Sequence, residues 1–138
     1  MDDLEKKIAA SFAAQGLMTT LGAQLVQVSP GEVQIELLPR PDLSQQRGYI
    51  HAGALTSVLD SACGYAALTV APAGFDVLTV EFKINFMRPA VADRFMAVGK
   101  VRKAGRTLTV CEGEVIGVRG TERTAIAVMQ ATIMNVRE

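Results

Sequence analysis

The chain has 138 residues, the size of one domain built on a single core. Apolar residues make up 49% and charged residues 20%, and 14 Lys+Arg balance 14 Asp+Glu for a formal net charge of zero. This excludes intrinsic disorder and argues against a partner held mainly by charge, such as nucleic acid or an acidic membrane. So much apolar residue on a small neutral domain points instead to burial against another copy of the chain. Residues 1–138 are read as one domain. His51 is the single histidine, and Cys63 and Cys111 are the two cysteines. These are too few for a protein-ligated zinc site, and no cofactor is expected. Two thiols behind a charged start, MDDLEKK, with no apolar leader, fit a cytoplasmic protein.

Residues 3–15 carry Leu4, Ile8 and Phe12 along one helical stripe, which predicts a short amphipathic helix. Leu25–Val28 and Val33–Leu37 flank Ser29-Pro30-Gly31-Glu32; Pro then Gly suits the centre of a type II turn, so a β-hairpin is expected. Residues 39–49 read as loop. The apolar segment from Ala52, ending at Pro72, carries Asp60 at its centre, which disfavours a membrane span and favours a buried helix. Leu78, Val80, Phe82, Ile84 and Phe86 then alternate with Thr79, Glu81, Lys83, Asn85 and Met87, a strand of period two. Runs at about 94–103, 106–118 and 123–136 follow, with turns at Ala104-Gly105 and Arg119-Gly120, and predict a four-stranded antiparallel meander. A helix apolar or small on most sides must be surrounded. The expected class is therefore α+β, a curved antiparallel sheet wrapped around a long central helix.

Asp60 is the informative residue. An unpaired carboxylate is costly inside so apolar a segment. Leu55, Val58, Leu59, Ala62, Cys63 and Ala66 leave a narrow polar stripe of Thr56 or Ser57, Asp60 and Gly64, the pattern of a helix face lining a cleft. His51 precedes Asp60 by nine positions. On one helix that is roughly 13 Å along the axis and about half a turn out of phase. The two cannot meet one reacting atom within a chain. Either they serve different purposes, or one site draws His51 from one protomer and Asp60 from another. Cys63 and Cys111 lie among apolar residues and read as small packing groups.

The segment HAGALTSVLDSACGYAA, with LTVEFKINFMRPA and the Gly105-Arg106 turn, resembles the hotdog-fold acyl-CoA thioesterases of the phenylacetate-degradation (PaaI-like) type. That family's pattern is His-Gly-Gly and an acid nine positions after the His; here it reads His51-Ala52-Gly53 and Asp60, with Ala52 in place of the first Gly. The resemblance implies Asp60 as general base or nucleophile, and a backbone N–H of Ala52 or Gly53 polarising the thioester carbonyl. It implies Gln45 orienting water or carbonyl, and His51 supporting that loop or assisting polarisation. Gly64 is expected beside the substrate. Thr79 matches a Ser or Thr near the site in some relatives, although its alternation sets it opposite Leu78 and Val80. It further implies an acyl-CoA substrate, a homodimer or homotetramer, and a site shared between subunits. The coenzyme phosphates would need basic residues, for which Arg88, Lys103 and Arg106 are candidates. Two rival functions on the same fold are an acyl-CoA hydratase or dehydratase and a non-catalytic acyl-CoA binding module.

Overall fold

The computed structural model describes residues 2–138. In chain order the elements are α1 (Asp3–Ala14), α2 (Gly16–Leu21), β1 (Gln24–Ser29), β2 (Glu32–Leu37), a 3-10 turn (Pro41–Leu43), α3 (Ala52–Val70), β3 (Phe75–Phe86), β4 (Arg94–Ala104), β5 (Leu108–Arg119) and β6 (Glu122–Arg137). Asp2 caps α1 by accepting from the Glu5 N–H at 2.8 Å. Gly31, at φ 81°, makes the β1–β2 turn that Pro30-Gly31 predicts. The helix α2 is absent from the sequence reading. It is one and a half turns long, too short to show a periodicity, and is held by burial of Met18 and Leu21.

All six strands join one antiparallel sheet in the order β1-β2-β4-β5-β6-β3. The expected meander is therefore three strands, β4-β5-β6, rather than four. The connection from β3 to β4 runs through Pro89 and is too long for a tight hairpin, so β3 crosses to the far edge beside β6, and β4 pairs with β2. This leaves β3 with one hydrogen-bonding edge unpaired in the chain. The strand also carries exposed Leu78 (59%), Val80 (55%) and Phe82 (42%).

The α3 helix lies across the concave face, burying Leu55, Val58, Leu59, Ala62, Cys63 and Ala66. Val33, Ile35 and Leu37 of β2, Phe95 of β4, Val115 of β5 and Ile133 of β6 complete the core. Each such large side chain contributes about 1.5–3 kcal/mol on burial. The helix seats on a cross-strand pair of glycines, Gly99 and Gly113. A Cβ on Gly99 would run into the backbone of Ala62 and Cys63, and one on Gly113 would come within 2.7 Å of Leu59 Cδ1 and 2.9 Å of Cys63 Sγ. The helix thus rests on the sheet backbone itself. No described helix is long and apolar enough to cross a membrane.

The strict alternation expected of β3 breaks at one residue. Thr79 pairs with Ile133 and Glu81 with Thr132, which leaves Val80 as a bulge. Val77 and Thr79 share the helix-facing side with buried Asn135 and Ile133. Beyond the bulge, Phe82, Ile84 and Phe86 stand on the side of buried Ala131, Met129 and Ala127, with Phe82 and Phe86 still exposed at the sheet edge. Without the bulge, Thr79 and Phe82 could not both face α3.

Candidate active site

The loop before α3 is a small hairpin. Ser44 bridges Ile50, and the Gln45 N–H donates to the Tyr49 carbonyl at 2.8 Å. Gln45 Oε1 turns back into this loop and accepts from the Arg47 and Tyr49 N–H groups. The amide of Gln45 therefore builds the loop through its oxygen. The His51 N–H donates to the Leu43 carbonyl at 2.8 Å and the Ile50 N–H to the Ala90 carbonyl at 3.2 Å, tying the loop to its surroundings.

His51 is the N-cap of α3. Its Nδ1 accepts from the Gly53 N–H at 2.8 Å, while its carbonyl accepts from Ala54 at 3.0 Å. A neutral imidazole accepting at Nδ1 carries its proton on Nε2. The sequence left Ala52 and Gly53 as alternative donors. The cap separates them, because the Gly53 N–H is engaged by the imidazole and the Ala52 N–H has no partner among the described residues. Ala52 stands at the first helical position, where the backbone donor is unpaired and lies at the positive end of the helix. No non-glycine residue described has positive φ, so Ala52 fills the family's first glycine position in ordinary helical geometry. A Cβ on Gly53 would press on the His51 ring, 3.0 Å from Nδ1, so a side chain there would have to displace the cap.

Asp60 lies two turns further along α3. Its Oδ1 accepts from the Thr79 hydroxyl at 2.7 Å. No Lys or Arg among the described residues bridges it. The predicted stripe is present. Thr56 and Ser57 fold their hydroxyls back onto the Ala52 and Gly53 carbonyls at 2.8 and 2.9 Å, and a Cβ on Gly64 would meet nothing within 4 Å. The stripe is open, with β3 on one side and the α1–α2 junction on the other. There Gln15 Nε2 donates to the Tyr65 hydroxyl at 2.9 Å and to Ser61 Oγ at 3.4 Å. This polar tie leaves no local signal in the sequence, since its partners lie 46 and 50 positions from Gln15.

Asp60 and His51 do not converge within the chain. Each holds a different partner, and eight helical residues separate Asp60 from Ala52, about 12 Å of rise. The basic candidates also divide. Arg88, just after β3, donates from Nη1 to the Ala125 carbonyl at 2.7 Å near the start of β6. Arg106 lies in the β4–β5 turn at the opposite end of the sheet, its carbonyl accepting from Asn135 at 3.1 Å, and Lys103 is exposed near the same turn. Cys63 and Cys111 are both buried, with the Cys111 thiol donating to the Cys63 carbonyl at 3.5 Å. Burial raises both thiol pKa values, that of Cys111 to about 12.

The family model described as Thioesterase superfamily matches residues 47–123, the loop, α3 and all of β3 to β5. Among solved structures, a thioesterase family protein from Silicibacter pomeroyi is 44% identical, with a TM-score of 0.95 over 98% of this chain and 99% of that one. A protein of Saccharolobus solfataricus, provisionally named an esterase, is 33% identical over 115 residues, 83% of this chain and 81% of its own length. The E. coli PaaI protein of the phenylacetic acid degradation operon shares the fold at 19% identity, with a TM-score of 0.86 over 96% of this chain and 93% of that one.

Proposed function

The chain belongs to the thioesterase superfamily, and we propose that within it the protein hydrolyses acyl-CoA thioesters, in the PaaI-like manner, at a site shared between two protomers. The observation that carries this reading is the Asp60–Thr79 pair on the open stripe of α3, beside the unpaired edge of β3. A carboxylate steadied by one hydroxyl and bridged by no cation has an oxygen left to take a proton from water.

In this reading, Asp60 removes a proton from a water whose oxygen attacks the thioester carbonyl carbon. Charge gathers on the carbonyl oxygen and is met by the free Ala52 N–H at the helix end, with the His51 Nε2–H beside it. Collapse breaks the carbon–sulfur bond and releases the acid and CoA. Gln45 Nε2 orients the water or the carbonyl while Oε1 holds the loop, and Gly64 leaves room for the acyl group. Arg88 and Arg106 stand at opposite ends of one chain, so they would attract the phosphates of one coenzyme only from different protomers.

Two protomers supply what one lacks. Antiparallel pairing of β3 with a second β3 would bury Leu78, Val80 and Phe82 and satisfy the open edge. It would also bring the helix start of one chain toward Asp60 of the other, giving a homodimer or a dimer of dimers. The whole of residues 1–138 acts as one domain, and the buried free thiols suit the reducing cytoplasm.

Thiol release over a panel of aryl and medium-chain acyl-CoA thioesters tests the reading. Turnover by the wild type and its loss in Asp60→Asn are the expected results; undiminished rates in that variant on every accepted substrate would overturn it. Attack by water is distinguished from attack by Asp60 itself in H2(18)O under single turnover. Heavy oxygen in the Asp60 peptide marks attack by the carboxylate, through an anhydride that water opens at the Asp60 carbonyl; general-base catalysis puts the heavy oxygen in the released acid alone.

A further inference from the structure

The open stripe of α3 that carries Asp60 has definite limits. Past Gly64 it ends, because Ala67 and Leu68 on the next turn are buried. One side is β3, joined to the helix by the Thr79–Asp60 bond; the other is the α1–α2 junction, joined to it by Gln15. About 10 Å, the width of one helix, separates the two sides. The floor between them is small: Ser57 and Ser61 are partly exposed, and a Cβ on Gly64 would meet nothing within 4 Å.

We infer that Gln15 is a specificity-determining residue, a polar wall that confines the acyl group on this stripe to a compact one, a single ring or a chain of about six carbons. The inference rests on the acyl-CoA reading above and adds the limit on what the site accepts. Position comes first. Gln15 bonds to Ser61 and Tyr65, one and five positions after Asp60, so its amide stands beside the carboxylate within about 8 Å of helical rise. The residue is also fixed at both ends. Gln15 is the single residue between α1 and α2. Its backbone N–H donates to the Phe12 carbonyl at 3.1 Å, and its carbonyl accepts from the Thr19 N–H and hydroxyl, each at 3.3 Å. Its side chain donates to the Tyr65 hydroxyl at 2.9 Å, and that hydroxyl bonds Ser11 Oγ at 3.1 Å. The Phe12 ring packs beside Tyr65, with centroids 6.1 Å apart. Finally, the wall is costly to move. Tyr65 is only 6% exposed. An alkyl chain long enough to displace Gln15 would take the donor from a buried hydroxyl and set methylene groups there, which cannot replace it. One such lost hydrogen bond amounts to about a tenfold change in preference.

The experiment sets hexanoyl-CoA against dodecanoyl-CoA in wild type, Gln15→Ala and Tyr65→Phe. The readout is the ratio of the two kcat/KM values, in which any loss of folded protein cancels. The wild type is expected to favour hexanoyl-CoA about tenfold or more. Gln15→Ala removes the wall and is expected to lower that ratio about tenfold, through a smaller KM for dodecanoyl-CoA. Tyr65→Phe keeps the ring beside Phe12 and removes only the hydroxyl that anchors the amide, so it is expected to lower the ratio by a smaller factor. A ratio unchanged in both variants, or a wild type that prefers the longer chain, overturns the wall and leaves the hydrolysis intact. Absence of turnover on every thioester refutes the hydrolytic reading instead. The wall is then judged by calorimetric binding of S-hexyl-CoA and S-dodecyl-CoA, thioethers that cannot be hydrolysed. A preference for the hexyl compound that falls in Gln15→Ala upholds it, and a preference that is the same in both proteins overturns it.

Discussion

The Thr79 hydroxyl donates to Oδ1 of Asp60 across 2.7 Å, and it can do so because Val80 bulges out of β3. The bond joins the central helix to the edge strand at one point. A hydrogen bond to a charged group contributes about 1.5–3 kcal/mol. Thr79→Val, which keeps the shape and removes the donor, is therefore expected to slow thioester hydrolysis roughly tenfold or more. Asp60→Asn is expected to cost about 10²–10⁴-fold, the usual range for a general base. Steady-state thiol release checks both, and a Thr79→Val rate equal to wild type would leave the hydroxyl without a catalytic part.

Ala52 offers an unusually clean way to delete a backbone donor. Proline is tolerated at the first helical position, and His51 already has the extended φ −61°, ψ 136° that a residue before proline prefers. Ala52→Pro is expected to keep its melting temperature within a few degrees and to lose about 10²–10³ in kcat. Mixing refolded Ala52→Pro with Asp60→Asn then locates the site. A site shared between protomers restores up to about a quarter of wild-type activity, since half the dimers are mixed and each has one intact site. A site within one chain restores none.

Glycines on opposite sides of α3 predict opposite outcomes. Gly99→Ala drives a methyl group into the backbone of Ala62 and Cys63, and should destabilise the fold by about 1–3 kcal/mol. Gly64→Ala meets open space and gains helix propensity, and should stabilise it by about 0.5–1 kcal/mol. Urea unfolding gives both values. Activity should move independently of stability at Gly64, where the methyl group narrows the stripe beside Asp60.

The thiols give a pH dependence. Burial raises the pKa of Cys111 from 9.0 to about 12 in the folded chain, and that of Cys63 upward as well. The folded state therefore keeps protons that the unfolded state has released. Stability from this source is complete below pH 9 and declines as pH rises from 9 toward 12. A Cys63→Ala, Cys111→Ala double variant should show a shallower alkaline decline in unfolding titrations. In the wild type, iodoacetamide at pH 8 should modify neither thiol until the chain unfolds.

Legibility in the sequence followed the range over which each signal acts. The helix around Asp60, the hairpin at Pro30-Gly31 and the strands after Pro89 were readable because periodicity and turn chemistry are local. The nine-residue spacing kept His51 and Asp60 apart, and in the structure they hold separate partners. The crossing of β3 to the far edge leaves no local signal, since strand alternation carries no information on which strand is the neighbour in the sheet. Nor does the bulge at Val80, a β-branched residue that carries none of glycine's usual marks for such a site. It alone converts Thr79 from an outward strand residue into the partner of Asp60. The choice between Ala52 and Gly53 as free donor depended on the direction of one imidazole ring, which composition does not encode.

The seat of α3 on Gly99 and Gly113 bears on how substrate range can be altered. A floor of peptide planes has no side chain to shorten or lengthen, so exchanges among the core aliphatics will not raise or lower the helix to reshape a pocket. Libraries aimed at new acyl groups should leave those two positions fixed and vary Gly64, Ser57 and the inward residues of β3 instead, where the wall is built of side chains and can be rebuilt.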